Sequence, residues 1–141
     1  MPAVRITIPA EHAERFKEEA TATLDYASTA LNDTVRFFRR GGADGVEIPY
    51  YRARVEHAER LFDQVRDQGG TLLVDGDPRV ISTTLEGCLL DAVDEVKGAA
   101  EMRRGRETRA AVRRTMADVE LWLHLLEHVE ETAGGVDAVY A

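Results

Sequence analysis

The sequence predicts a mostly α (α+β) fold: a four-helix bundle-like domain carrying a small antiparallel sheet. Three observations lead there. Long stretches repeat apolar residues every three or four positions, the period of an amphipathic helix. Glycine pairs punctuate those stretches at Gly41-Gly42, Gly69-Gly70 and Gly134-Gly135. Two short regions instead alternate, or collect β-branched residues, which marks strands.

Val4-Arg5-Ile6-Thr7-Ile8 alternates apolar and polar, the pattern of a half-buried strand, and Pro9 ends it. A first helix follows over 10–40. Phe16, Ala20, Leu24, Ala27, Leu31, Val35 and Phe38 draw one apolar stripe along it. Arg39-Arg40 suit the negative end of the helix dipole and Gly41-Gly42 its termination. A second helix over 49–68 carries Tyr51, Val55, Ala58, Phe62 and Val65 in 4-3-4-3 steps before Gly69-Gly70 stops it.

Thr71-Leu72-Leu73-Val74 and Arg79-Val80-Ile81-Ser82 flank Asp75-Gly76-Asp77-Pro78, which reads as a β-hairpin. The competing reading starts a helix at Asp77 and Pro78. The β-branched Val80, Ile81, Thr83 and Thr84 favour the hairpin, and Thr83 with Glu86 has the spacing of a capping box. A third helix is then expected over 84–103, with Leu85, Cys88, Leu89, Ala92, Val93 and Val96 inward. A fourth runs over 107–132, with Val112, Thr115, Val119, Trp122, Leu126 and Val129 inward. The order is β-α-α-β-β-α-α, in one domain over 1–141, with 136–141 expected to fray.

A first helix of about 30 residues would span roughly 45 Å. A chain of this size has an expected radius of gyration of only about 14–15 Å. Part of that helix is therefore expected to pack on another subunit, making a homo-oligomer. Apolar residues at 44% and charged residues at 31% exclude the disordered class. Cys88 is the only cysteine, so no disulfide forms within the chain and a reducing, cytoplasmic location is expected. The N-terminus lacks the apolar run of a secretory signal, and Leu121–Leu126 is too short to cross a bilayer.

The net charge of −8 argues against nucleic-acid or membrane-surface binding. It is unevenly spread. Residues 103–114 hold Arg103, Arg104, Arg106, Arg109, Arg113 and Arg114 against Glu107 alone, a local +5 that leaves −13 for the rest. That cluster suits an anion, or docking on acidic helices of this chain or a second copy. On the fourth helix Glu120, His124, Glu127, His128 and Glu131 share one stripe. Imidazoles four residues apart can grip one ion with carboxylates a turn away, so a divalent metal is the one cofactor the pattern suggests. The plainer reading is a solvated face opposite Trp122, Leu126 and Val129. Cys88 lies on an inward stripe and reads as an inert thiol. His12 and His57 read as ordinary surface histidines, and Glu11–Arg15 recurring as Glu56–Arg60 reads as two similar helix segments.

No P-loop, dinucleotide glycine pattern or nucleophile elbow is present. The expectation is a non-enzymatic helical protein acting through protein–protein contacts and self-association. The alternatives are a metal-binding protein using the polar stripe and an anion or small-ligand binder using the arginines.

Overall fold

The structure, a computed structural model, describes residues 3–39, 47–101 and 105–140. It is mostly α with a small antiparallel sheet. The elements in order are β1 (Val4–Ile8), a 3-10 turn (Ala10–His12), α1 (Ala13–Arg39), α2 (Glu47–Arg66), β2 (Leu72–Gly76), α3 (Pro78–Ala100), α4 (Arg106–Thr132) and α5 (Val136–Tyr140). No helix is long and apolar enough to cross a membrane among the described residues.

The alternation of β1 is realised as buried Val4, Ile6 and Ile8 against exposed Arg5 and Thr7. Its antiparallel partner is β2, with Val4 opposite Gly76, Ile6 opposite Val74 and Ile8 opposite Leu72. One face of the sheet is thus continuous with the core. On the other, Arg5 and Asp75 sit directly opposite and Arg5 Nε donates to Asp75 Oδ2 at 3.1 Å.

The expected hairpin keeps only its first strand. Arg79–Ser82 belongs to α3, so the sheet has two strands rather than three among the described residues. The reason is local. Asp77 caps α3, its Oδ1 accepting from the Arg79 N–H at 2.9 Å, and Pro78 occupies the first turn without needing a donor. The Ile81 N–H donates to the Asp77 carbonyl at 3.1 Å, so the helix is already formed there. The Thr83–Glu86 capping box is likewise not used. Thr83 and Thr84 lie inside the helix and donate back to the Arg79 and Val80 carbonyls, both at 2.9 Å. Val80 and Ile81 are buried, and burial overrides their strand propensity.

Where a third strand was expected stand two side chains, Gln64 from α2 and Gln68 from the connection that follows it. Gln68 Nε2 donates to the Leu73 carbonyl at 2.9 Å, and its Oε1 accepts from the Leu73 N–H at 2.8 Å. One turn earlier, Gln64 Oε1 accepts from the Asp75 N–H at 3.0 Å. Leu73 and Asp75 are exposed, and these amides pair backbone groups on the strand edge that β1 does not cover. The connection between α2 and β2 turns at Gly70, whose φ of +69° only glycine adopts freely. Lys17 of α1 reaches across to the Gln68 carbonyl at 2.6 Å, a cation just beyond the C-terminus of α2.

The helices form two antiparallel hairpins, α1 with α2 and α3 with α4, leaning on each other through α1 and α3. The core gathers Phe16, Leu61, Val65, Ile81, Leu85, Trp122 and Val129 around the inner face of the sheet. Beyond Ala27 no residue of α1 is buried, and none of α2 is buried before Ala58. The outer half of α1 packs on α2 as a protruding arm. Phe38, expected inward, is exposed there, with Tyr26, Phe37 and Tyr50. Residues 136–140, expected to fray, form α5, and Val139 is buried. Arg40 and Gly41-Gly42, read as the end of the first helix, lie outside the described residues.

Removing the Asp77 cap should cost about 1 kcal/mol. Asp77→Ala is therefore expected to lower the melting temperature by about 3–4 °C, and Asp77→Asn by much less. Equal loss in both variants, measured by circular dichroism, would show that capping is not what holds this end of α3.

Candidate functional site

The arginine cluster and the polar stripe both map to α4. Glu120, His124, Glu127, His128 and Glu131 are all exposed. Among the described residues no three His, Cys, Asp or Glu side chains are grouped to hold a metal ion. Arg109, Arg113 and Arg114 are exposed too, and none of their side chains makes a hydrogen bond or ion pair with another described residue. Arg103 and Arg104 lie outside the described residues, and the Arg106 side chain is not described. Arg114 borders a shallow hollow shared with Pro9, Asp118 and Leu121.

A polar cleft lies where the N-terminal turn, α1, α3 and α4 meet. It encloses about 270 Å³. Its floor is Cys88, Ala92 and Trp122, and Trp122 is only 1% exposed. Around it stand Glu11, Glu14, Glu18, Glu95 and Asp118, with Arg15 and His12. Five carboxylates against one guanidinium make the opening strongly negative, which draws cations.

Helical spacing on α1 builds one wall. Arg15, Glu19 and Thr23 stand four residues apart on one face, opposite α3 running the other way. Arg15 donates from Nη2 to Glu95 Oε1 at 2.6 Å and from Nη1 to Asp91 Oδ2 at 3.5 Å. The Glu19 carboxyl lies over Gly87, where the smallest side chain of α3 leaves it room; a methyl there would collide with it. Thr23 and Thr84 hydroxyls meet at 3.0 Å inside the core. The seam thus runs from a solvated ion pair to a buried hydroxyl pair.

Glu19 is the perturbed acid of this seam. Burial pushes its pKa up to about 7, and the adjoining Asp91 carboxylate adds to the rise by hydrogen bonding and by charge. Burial also pushes the Cys88 thiol up, and the nearby Glu19 and Asp91 carboxylates push further. Its Sγ faces the Arg15 carbonyl at 4.0 Å. These surroundings oppose a thiolate, so Cys88 is not equipped as a nucleophile.

His12 enters from the N-terminal turn. Its ring stands edge-on to Trp122, with centroids 5.5 Å apart. Its Nε2 lies 3.7 Å from Asp118 Oδ1 and 3.8 Å from Glu11 Oε1. His57, its counterpart in the repeated segment, instead lies 3.7 Å from Asp77 Oδ2 at the start of α3.

No family model, no curated protein and no solved structure matches this chain. The chemistry therefore has to be read from the geometry alone.

That geometry brings together residues the sequence did not single out as a group: His12, Arg15, Glu19, Asp91, Glu95 and Asp118. The one local signal was Gly87, a glycine inside a helical pattern, which marks a close approach. In what it can do, the cleft is a cation-attracting hollow with an apolar floor, and Glu19, whose pKa burial raises to about 7, lies in the seam beside it.

Because the folded pKa of Glu19 lies above its ordinary 4.5, the folded state binds the extra proton. Stability from this group is then full below about pH 4.5 and is lost as the pH rises to about 7. Glu19→Gln should flatten the melting temperature across that window and raise it above pH 7. An unchanged pH profile in thermal melts would remove Glu19 as the titrating group.

Proposed function

We propose that this is a non-enzymatic helical protein that acts through protein–protein contacts, first with copies of itself. The observation that carries the reading is that long helical faces are left uncovered among the described residues and expose large apolar side chains. Tyr26 is 76% exposed on the arm, and Phe37 lies on the same side of α1 three turns later. Phe38 and Tyr50 extend the arm's apolar surface, and Met116 and Leu123 are exposed on α4. Single exposed apolar residues are ordinary, whereas several along one element favour docking. The acidic surroundings of Cys88 support the non-enzymatic part of the reading.

A second reading is favoured by the cleft. Its volume of about 270 Å³, apolar floor and five carboxylates suit an organic cation, an amine or guanidinium on a short apolar body. The metal and anion readings draw on the outer face of α4, where the side chains concerned stand in solvent.

The mass of the untagged chain in solution tests the leading reading. Sedimentation is expected to give a multiple of 15.7 kDa that falls on dilution. A monomer persisting to about 100 µM, beyond any affinity tighter than about −5.5 kcal/mol, would overturn self-association. Spermidine, tested beside a neutral polyol, should raise the melting temperature if the cleft is a cation site. Equal responses to both would dismiss that second reading.

A further inference from the structure

The outer face of α4 carries a charge order that complements itself when one copy is turned end over end. Arg109, Arg113, Met116, Glu120, Leu123 and Glu127 step 4-3-4-3-4 along the helix, and every one is exposed. That spacing is the seam of a two-helix coiled coil. It is distinct from the inward seam of the same helix, where Trp122, Leu126 and Val129 are buried in the core. So α4 has two seams, one covered by the core and one that no other described residue covers.

The outer seam is basic in its first half and acidic in its second. Its two large apolar members, Met116 and Leu123, are each 42% exposed. None of its four charged side chains makes a hydrogen bond or ion pair with another described residue. A second copy laid parallel would set Arg109 on Arg109 and Glu127 on Glu127, which repels. An antiparallel copy, related by a two-fold axis near position 118, sets Arg109 against Glu127 of the partner subunit. The same register places Arg113 beside Leu123 of the partner subunit, and Met116 beside Glu120 of the partner subunit. Ridge positions then alternate as an antiparallel pair requires, and an isologous contact closes without growing into a filament.

We propose that the chain dimerises through this outer seam of α4, two copies of the helix crossing antiparallel with Arg109 and Arg113 meeting the acidic half of the partner's helix. The proposal rests on the self-association reading above and adds to it which face is used and in which direction. It also places Arg109 and Arg113, with Glu120 and Glu127, as the two ends of one surface. His124 lies at the margin of that surface, so metal bridging by histidines would compete with it.

The test is charge exchange on the full chain, in the presence of a chelator so that histidine-bound metal cannot imitate the contact. Two double variants are made, R109E with R113E, and E120R with E127R. All four positions are exposed, so circular dichroism and melting should match the parent chain. Each variant alone is expected to dissociate at least about tenfold more readily in sedimentation equilibrium, because like charges now face each other. An equimolar mixture should recover parental association, since every pair is again opposite in sign. Recovery also answers the objection of misfolding, because two damaged proteins would not restore each other. If the parent chain associates and neither exchange alters it, the α4 seam is overturned while self-association stands. A loss of association in F37S with F38S alone would then place the contact on the arm. If the parent chain is monomeric throughout, self-association itself fails, a result distinguishable from the first.

Discussion

Between Pro78 and Cys88 the first turns of α3 are buried on nearly every side, and the rest of the molecule is arranged by what that demands. Pro78, Val80, Ile81, Thr84, Leu85 and Cys88 are all covered. They face the sheet, α1, α2 and α4 at once, so it is through α3 that the α1–α2 hairpin meets the α3–α4 hairpin. A helix start so enclosed cannot leave its first N–H groups to water. Asp77 and Pro78 meet that requirement locally, which is why the chain can pass from β2 into α3 with no intervening loop. Away from this segment burial declines quickly, and the outer reaches of α1, α2 and α4 are held mainly by the neighbouring helix of the same hairpin.

The parts of the fold that were legible in the sequence are those governed by periodicity. The inward stripe of α4 ends in the buried Trp122, Leu126 and Val129, and β1 alternates as its residues say. The start of α3 was misread because two signals conflicted. Val80, Ile81, Thr83 and Thr84 speak for a strand, Asp77-Pro78 for a helix start, and propensity is the weaker of the two once tertiary burial is available. Phe38 continued an apolar stripe that the core does not follow, since period alone cannot say where a neighbour ends. The length of the first helix led to an expected contact with another subunit, whereas the contact that its outer half makes is with α2 of the same chain. The helix is too long for the body, and its outer half does leave the core.

The site was less legible for a different physical reason. The cleft joins His12, Arg15, Cys88, Glu95 and Asp118, residues from three helices and a turn that are distant in sequence. No spacing rule links them, and each alone looks like ordinary helix surface. Glu19 and Asp91 differ by one further step, because what singles them out is mutual proximity under partial burial. By contrast, both α4 patterns were visible as residues. So was the inward side of the helix opposite them, because Trp122, Leu126 and Val129 share one period.

The glutamines beside β2 have a consequence for how the molecule behaves among many copies of itself. A strand edge is a template, and any extended peptide with free donors and acceptors can lengthen the ladder. A carboxamide satisfies the edge as a strand would, presenting one donor and one acceptor in register to Leu73. Unlike a strand, it offers no further edge of its own, so the ladder stops there. Two side chains thus occupy the backbone groups of Leu73 and Asp75 that an incoming strand would need.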